Sequence, residues 1–148
     1  MESDPLLYPQ GLDVLWLAAD RKGRLASFAS AGRGPVPKSQ IEGFDDWDDL
    51  FAWLDVRSDQ EYSVDSEMVY EEARSFAAKG LYVYDWSDIH RTAAIGLGYE
   101  RLCRPAEPVL LHALPPNLAR IPISQLDVDF DDAPWVDPSG LVACLSLT

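Results

Sequence analysis

The sequence predicts an α+β domain: a mostly antiparallel sheet that opens with a β-hairpin and is packed by two main helices. Three observations carry that prediction. Residues 13–30 hold two apolar stretches around a polar turn that ends in glycine. Residues 44–55 and 66–79 space their apolar side chains for one face of a helix, with a period of about 3.6 residues. The remaining apolar segments read as strands, and none leads into a G-x-G-x-x-G or phosphate-binding loop, so a parallel α/β sheet is disfavoured.

The first strand is "DVLWLAA" (13–19). Asp20-Arg21-Lys22-Gly23 follows as the turn, its glycine suited to positive φ. The partner strand covers 24–30, where Ser27 opposes Phe28. The exit "AGRGPVP" (31–37) carries glycines and prolines, and proline stops ladder pairing.

In "FDDWDDLFAWLD" (44–55), Phe44, Trp47, Phe51 and Leu54 form one stripe with Leu50 beside it. Asp45 or Asp46 is the expected cap, and the aspartates of the first turns, Asp48 and Asp49 included, suit the positive end of the helix dipole. Phe51 is expected in the core. Trp53 is expected at the surface, beside Asp46 and Asp49.

The second helix, 66–79, is capped by Asp65 or Ser66, with Val69, Ala73, Phe76 and Ala77 buried and Glu67, Glu71 and Glu72 in water. Lys79 occupies its last turn and Gly80 the C′ position. "LYVYDW" (81–86) is aromatic and β-branched, hence a strand. Residues 87–96 are irregular or a short helical turn, 98–104 a strand, and 108–114 its neighbour. Residues 115–122 form a loop with a helical turn. "SQLDVDF" (124–130) alternates Leu126, Val128 and Phe130 with polar residues and reads as a strand, and "LVACLSL" (141–147) as a buried last one.

At 148 residues the chain reads as a single domain over 1–148 with a normal core. No apolar run approaches the roughly 18 residues of a membrane span. The acidic start "MESDPLLYPQG" lacks the basic region of a signal peptide, so a cytoplasmic location is expected. Cys103 and Cys144 are then expected as reduced thiols rather than a disulfide.

The net charge is −13. Residues 42–72 hold twelve acids and one base, Arg57, and residues 121–148 hold five acids and no base. Nucleic acid would be repelled, since binding it relies on cations that neutralise phosphates. Anionic membrane surfaces are disfavoured by the same sign argument. A basic protein partner is allowed.

Few residues suggest chemistry. "SAGRGP" (30–35) could cradle an anion, but no helix follows it, and a turn explains it. "DVDFDD" (127–132) opens like a calcium loop, yet Asp132 stands in place of the turn glycine and Pro138 in place of the bidentate glutamate. A strand with its acids in water is preferred. His90, with Asp88 before it, and His112 are possible acid–base groups, but no nucleophile motif accompanies them. No zinc-ligand spacing exists, so neither metal nor cofactor is expected. The aspartates at 45, 46, 48 and 49 suit capping and solvation better than catalysis.

The stretches "DVLWLAADRKGRLASFASAGRGPVP" and "DWSDIHRTAAIGLGYERLCRPAEPVLLHALPPNLARI" together resemble a family of uncharacterised small acidic bacterial proteins. Its opening is a strand with W-L-A-x-D, a glycine turn, a strand with phenylalanine and a G-x-G-P-x-P exit. The likeness spans about half of the chain and rests on turn and core signatures, so it transfers no site residue. It implies, by analogy, an immunity protein of a toxin system. The expected function is therefore a cytosolic protein-binding module that masks a basic toxin through Asp45, Asp46, Asp48, Asp49 and Trp53. The alternatives are a small hydrolase-like enzyme built on His90 and Asp88, and an oligomeric accessory subunit.

Overall fold

The computed structural model describes residues 6–7, 14–31, 34, 36–37, 47–65, 69–87, 98–118 and 121–136. The hairpin forms as expected. Strand β2 (Leu15–Ala19) pairs antiparallel with β3 (Leu25–Ala29), with Trp16 opposite Phe28. Gly23 takes φ +78° in the loop, a conformation costly for a residue with a Cβ. The exit differs from expectation: Val36–Pro37 (β4) pairs with Leu6–Leu7 (β1) in a small separate sheet.

Helix α1 spans Trp47–Asp55 and helix α2 Glu71–Ala78. α2 starts later than its sequence pattern suggests, at Tyr70, whose side chain makes no capping bond. Its end matches a Schellman closure: Gly80, at φ +104°, donates to the Ala77 carbonyl, and Leu81 donates to that of Phe76. Asp65, an expected cap, instead accepts both Nε and Nη2 of Arg101, at 3.0 and 3.2 Å.

Seven strands make the main sheet. Besides β2 and β3 it contains β5 (Tyr62–Val64), β6 (Tyr82–Ser87), β7 (Gly98–Pro105), β8 (Ser124–Gln125) and β9 (Trp135–Val136). The order is β5-β7-β6-β3-β2-β8, with β9 beside β5 on the outer edge of β7. Most pairs are antiparallel; β3–β6 and β2–β8 are parallel. The fold is thus α+β with a mostly antiparallel sheet. Opposite Val83 and Tyr84 the β7 register slips, so Leu102 is an extra residue and joins Cys103 on the helix side.

Both faces of the sheet are buried. One packs Leu17, Leu25, Leu81 and Val83 toward α1 and α2. The other stacks the aromatic ladder Trp16, Phe28 and Tyr84 across three neighbouring strands, with centroids 4.4 and 4.7 Å apart. Tyr99 meets that ladder edge-on, and its hydroxyl accepts from Trp16 Nε1 at 3.2 Å. Gly34 lies so close that an added Cβ would stand 2.6 Å from the Tyr99 hydroxyl.

The segment after residue 120 covers this aromatic face, and here two expectations fail. Residues 124–130 are a strand only at Ser124–Gln125; beyond it Leu126 and Phe130 turn inward as a strap across the sheet. Residues 108–114 do not pair with β7. Leu110 bridges Arg24, and Leu111–Ala113 is a 3₁₀ turn. The expected helical turn in 115–122 is the 3₁₀ turn Pro116–Leu118. The strand expected at 141–147 and Cys144 lie outside the described residues. Cys103 is a free, buried thiol, and burial pushes its pKa up to about 11.

Candidate functional site

α1 presents three flanks. Trp47, Leu50 and Leu54, at i, i+3 and i+7, are its buried centre. Phe51 and Trp53 lie on opposite sides of that centre, and both are half-buried against the same core. This corrects both expectations: Phe51 is not fully core, and Trp53 is not a free surface ring. The Arg57 guanidinium, one helical turn on, lies 5.1 Å from the Trp53 ring centroid. The base of the acid-rich block therefore sits on the tryptophan expected to anchor a partner. Asp48 and Asp49 are exposed, while Asp45 and Asp46 lie outside the described residues.

The other flank of α1 carries Asp48, Phe51 and Asp55, brought together by the 3.6-residue period. It faces α2 across a cleft of about 690 Å³. The Phe51 and Phe76 rings stack across it, 5.8 Å apart and within 7° of parallel. Leu54 and Tyr62 also line the cleft, and Asp55 and Glu71 are exposed lining residues from α1 and α2. Its cations are committed. Lys79 Nζ lies 2.8 Å from Asp59 and donates to the Arg57 carbonyl at 2.6 Å. Arg74 Nε donates to the Val69 carbonyl at 3.2 Å. Among the described residues, Asp48, Asp55, Glu71 and Glu72 make no ion pair.

A second charged cluster surrounds Arg24 at the hairpin loop. Asp20, its side chain fully buried, accepts from the backbone N–H groups of Lys22, Arg24 and Phe130 at 3.0 Å each, and from Arg24 Nε at 2.9 Å. Arg24 also donates to Asp131 at 2.7 Å and to Asp129, and lies over the Tyr82 ring. The Tyr82 hydroxyl donates to Asp131 at 2.7 Å. Arg101 Nη1 donates to the Phe130 and Asp131 carbonyls at 2.6 and 2.9 Å. The acids of "DVDFDD" thus do not simply face water; Asp127, Asp129 and Asp131 pair with Arg21, Lys22 and Arg24.

The electrostatics follow from these contacts. Burial alone would lower the Arg24 pKa, but bonds from Asp20 and Asp129 more than offset it, and the guanidinium stays charged. Burial, then the bond to Asp131, holds the Tyr82 phenol above its ordinary range. Desolvation pushes the Asp129 pKa upward, yet hydrogen bonds from Arg24, Lys22 and the Asp131 amide hold it at about 2. The Tyr82 hydroxyl, then Arg24, lowers that of Asp131.

Because both folded carboxylates titrate below their unfolded values, their stabilisation is present above about pH 4 and lost as the pH falls toward about 2. The urea midpoint is expected to drop across that window. In Asp129→Asn the acid limb should be shallower; an unchanged limb would remove Asp129 as a contributor.

The cation among the carboxylates of this cluster is Arg24 itself. No set of three or more potential metal ligands occurs among the described residues. His112 is exposed on its 3₁₀ turn, and His90 and Asp88 lie outside the described residues. A smaller cleft of about 300 Å³ is lined by Glu61, Ser63, Arg104 and Asp131. Arg104 Nε is buried there without a hydrogen-bond partner among the described residues. Among those residues, no helix is long and apolar enough to cross a membrane.

Sequence reasoning missed Asp20 and Arg24, although an aspartate opening a glycine turn is a known backbone-bonding position. It also missed the cleft flank, for which the seven-residue spacing of Asp48 and Asp55 around Phe51 was the available sign. Comparison with protein-family models, curated proteins and solved structures finds no match to this chain.

Proposed function

We propose that the chain is an acidic protein-binding module of the immunity type, acting in the cytoplasm to mask a basic toxin or effector. One observation carries this reading: the two acidic blocks are treated differently. In the strap, Asp127, Asp129 and Asp131 are matched by Arg21, Lys22 and Arg24. On the helices, the exposed carboxylates of Asp48, Asp55, Glu71 and Glu72 have no cation among the described residues. Unmatched charge on one face raises encounter rates with a partner of opposite sign and selects against others. The resemblance to small acidic bacterial proteins points the same way.

The test is surface plasmon resonance against the product of the neighbouring gene, at about 0.1 M and about 1 M salt; a neighbour that is not basic, or that does not bind, would overturn the reading. Screening shortens from about 10 Å to about 3 Å between those conditions. Reversing Asp48 and Asp55 to lysine should slow association at low salt and flatten its salt dependence. An association rate untouched at low salt would reduce the helix acids to a solvated face.

A further inference from the structure

We infer that the cleft between α1 and α2 is the docking groove for an amphipathic, basic helix of the partner, an inference that rests on the basic-partner reading above. The expected anchor, Trp53, already packs on the core and is covered by Arg57. The opposite flank of α1 offers what Trp53 does not: a recess in which Phe51, Leu54 and Phe76 lie among charged residues. Phe51 and Phe76 stack across it, and each is only partly buried.

The cleft is fixed rather than assembled on binding. Lys79 ties Asp59 to the Arg57 carbonyl. Gln60 exchanges two hydrogen bonds with the Glu107 backbone, at 2.6 and 2.8 Å. Its volume lies within the usual range for a ligand site. α1 has nine residues and is about 13 Å long, which matches two to three turns of a docked helix.

Charge selects the occupant. Of the lining cations, Lys79 is paired with Asp59 and Arg74 is held on the Val69 carbonyl, whereas the exposed lining acids Asp55 and Glu71 make no ion pair among the described residues. Apolar anchors at i, i+3, i+4 and i+7 would lie over the accessible edges of the two stacked phenylalanines, and flanking Lys or Arg would meet the acids.

The test uses the full chain and two synthetic peptides of about 14 residues, each with leucines at i, i+3, i+4 and i+7. One carries lysine at the remaining positions, the other glutamate. Amide chemical shifts are followed by NMR, and affinity by calorimetry. The lysine peptide should shift Phe51, Asp55, Glu71 and Phe76 together. Asp55→Asn with Glu71→Gln should weaken it about tenfold, while Asp127→Asn with Asp132→Asn, which removes equal charge from the strap, should change it less than about twofold. Circular dichroism checks that both double variants fold.

Equal losses in the two variants, or shifts scattered over the acidic surface, would overturn the groove and leave the basic-partner reading standing. Equal binding of the glutamate peptide would overturn both. Absence of shifts with either peptide would overturn the groove. Concentration-dependent shifts of the same residues without peptide would overturn it in favour of a second copy of the chain.

Discussion

Asp20→Ala is expected to lose about 3–5 kcal/mol of folding stability, the range found when one partner of a buried ion pair is removed. The cost arises because the substitution strands several groups together. The N–H donors of Lys22, Arg24 and Phe130 lose their acceptor, and the buried Arg24 guanidinium loses the most deeply buried of its three carboxylate partners. Arg21→Ala provides the contrast. Its pair with Asp127 leaves the two side chains 61% and 71% exposed, so a loss of no more than about 1 kcal/mol is expected. Urea unfolding of both variants is the measurement. A loss at Asp20 as small as that at Arg21 would mean that the hairpin loop holds without its carboxylate.

Phe28→Ala should cost a similar amount, about 3–5 kcal/mol, through a different mechanism. Phe28 is fully buried between Trp16 and Tyr84, with the Tyr99 ring centroid at 5.0 Å in a T-shaped arrangement. Truncation leaves a cavity in the middle of the ladder and removes ring contacts worth roughly 0.5–1.5 kcal/mol each beyond area burial. Phe51→Ala, expected from the helical stripe alone to cost as much, should cost clearly less because Phe51 is half-buried at the cleft. Thermal or urea unfolding ranks the two, and equal losses would contradict the half-burial of Phe51.

Features written in nearby residues were legible. The hairpin follows from its apolar stretches and Gly23, and the end of α2 from Lys79-Gly80. The strand at 82–87 follows from its β-branched and aromatic content, and that at 98–105 from the alternation of Tyr99, Arg101 and Cys103 with Glu100, Leu102 and Arg104. Features set by distant partners were not. Alternation at Leu126, Val128 and Phe130 suits a strand and an inward-facing strap equally well. What decides is Arg24 and Arg101, far away in sequence, drawing the chain around. Residues 108–114 find their backbone partners at Gly23, Leu25 and Gly80, so no ladder along β7 forms. The exposure of Phe51 and Trp53 depends on where α2 lies, which the pattern of α1 alone does not contain.

The single carboxylate of Asp20 bonds both the hairpin loop and the strap. Ladder pairing at β8 covers only two residues; beyond it the strap is held by single backbone bonds at Leu126, Val128 and Pro134 together with side-chain contacts. Peeling it away would break the Phe130 bond to Asp20 and pull Asp129 and Asp131 from Arg24 at once. The first hairpin and the late covering segment therefore behave as one cooperative unit, although more than a hundred positions separate them. Acid should loosen the polar half of that unit, because protonation acts on the carboxylates, while Leu126 and Phe130 still pack against the aromatic ladder. Near the bottom of the pH range, the strap is expected to be held on the aromatic face chiefly by those apolar contacts.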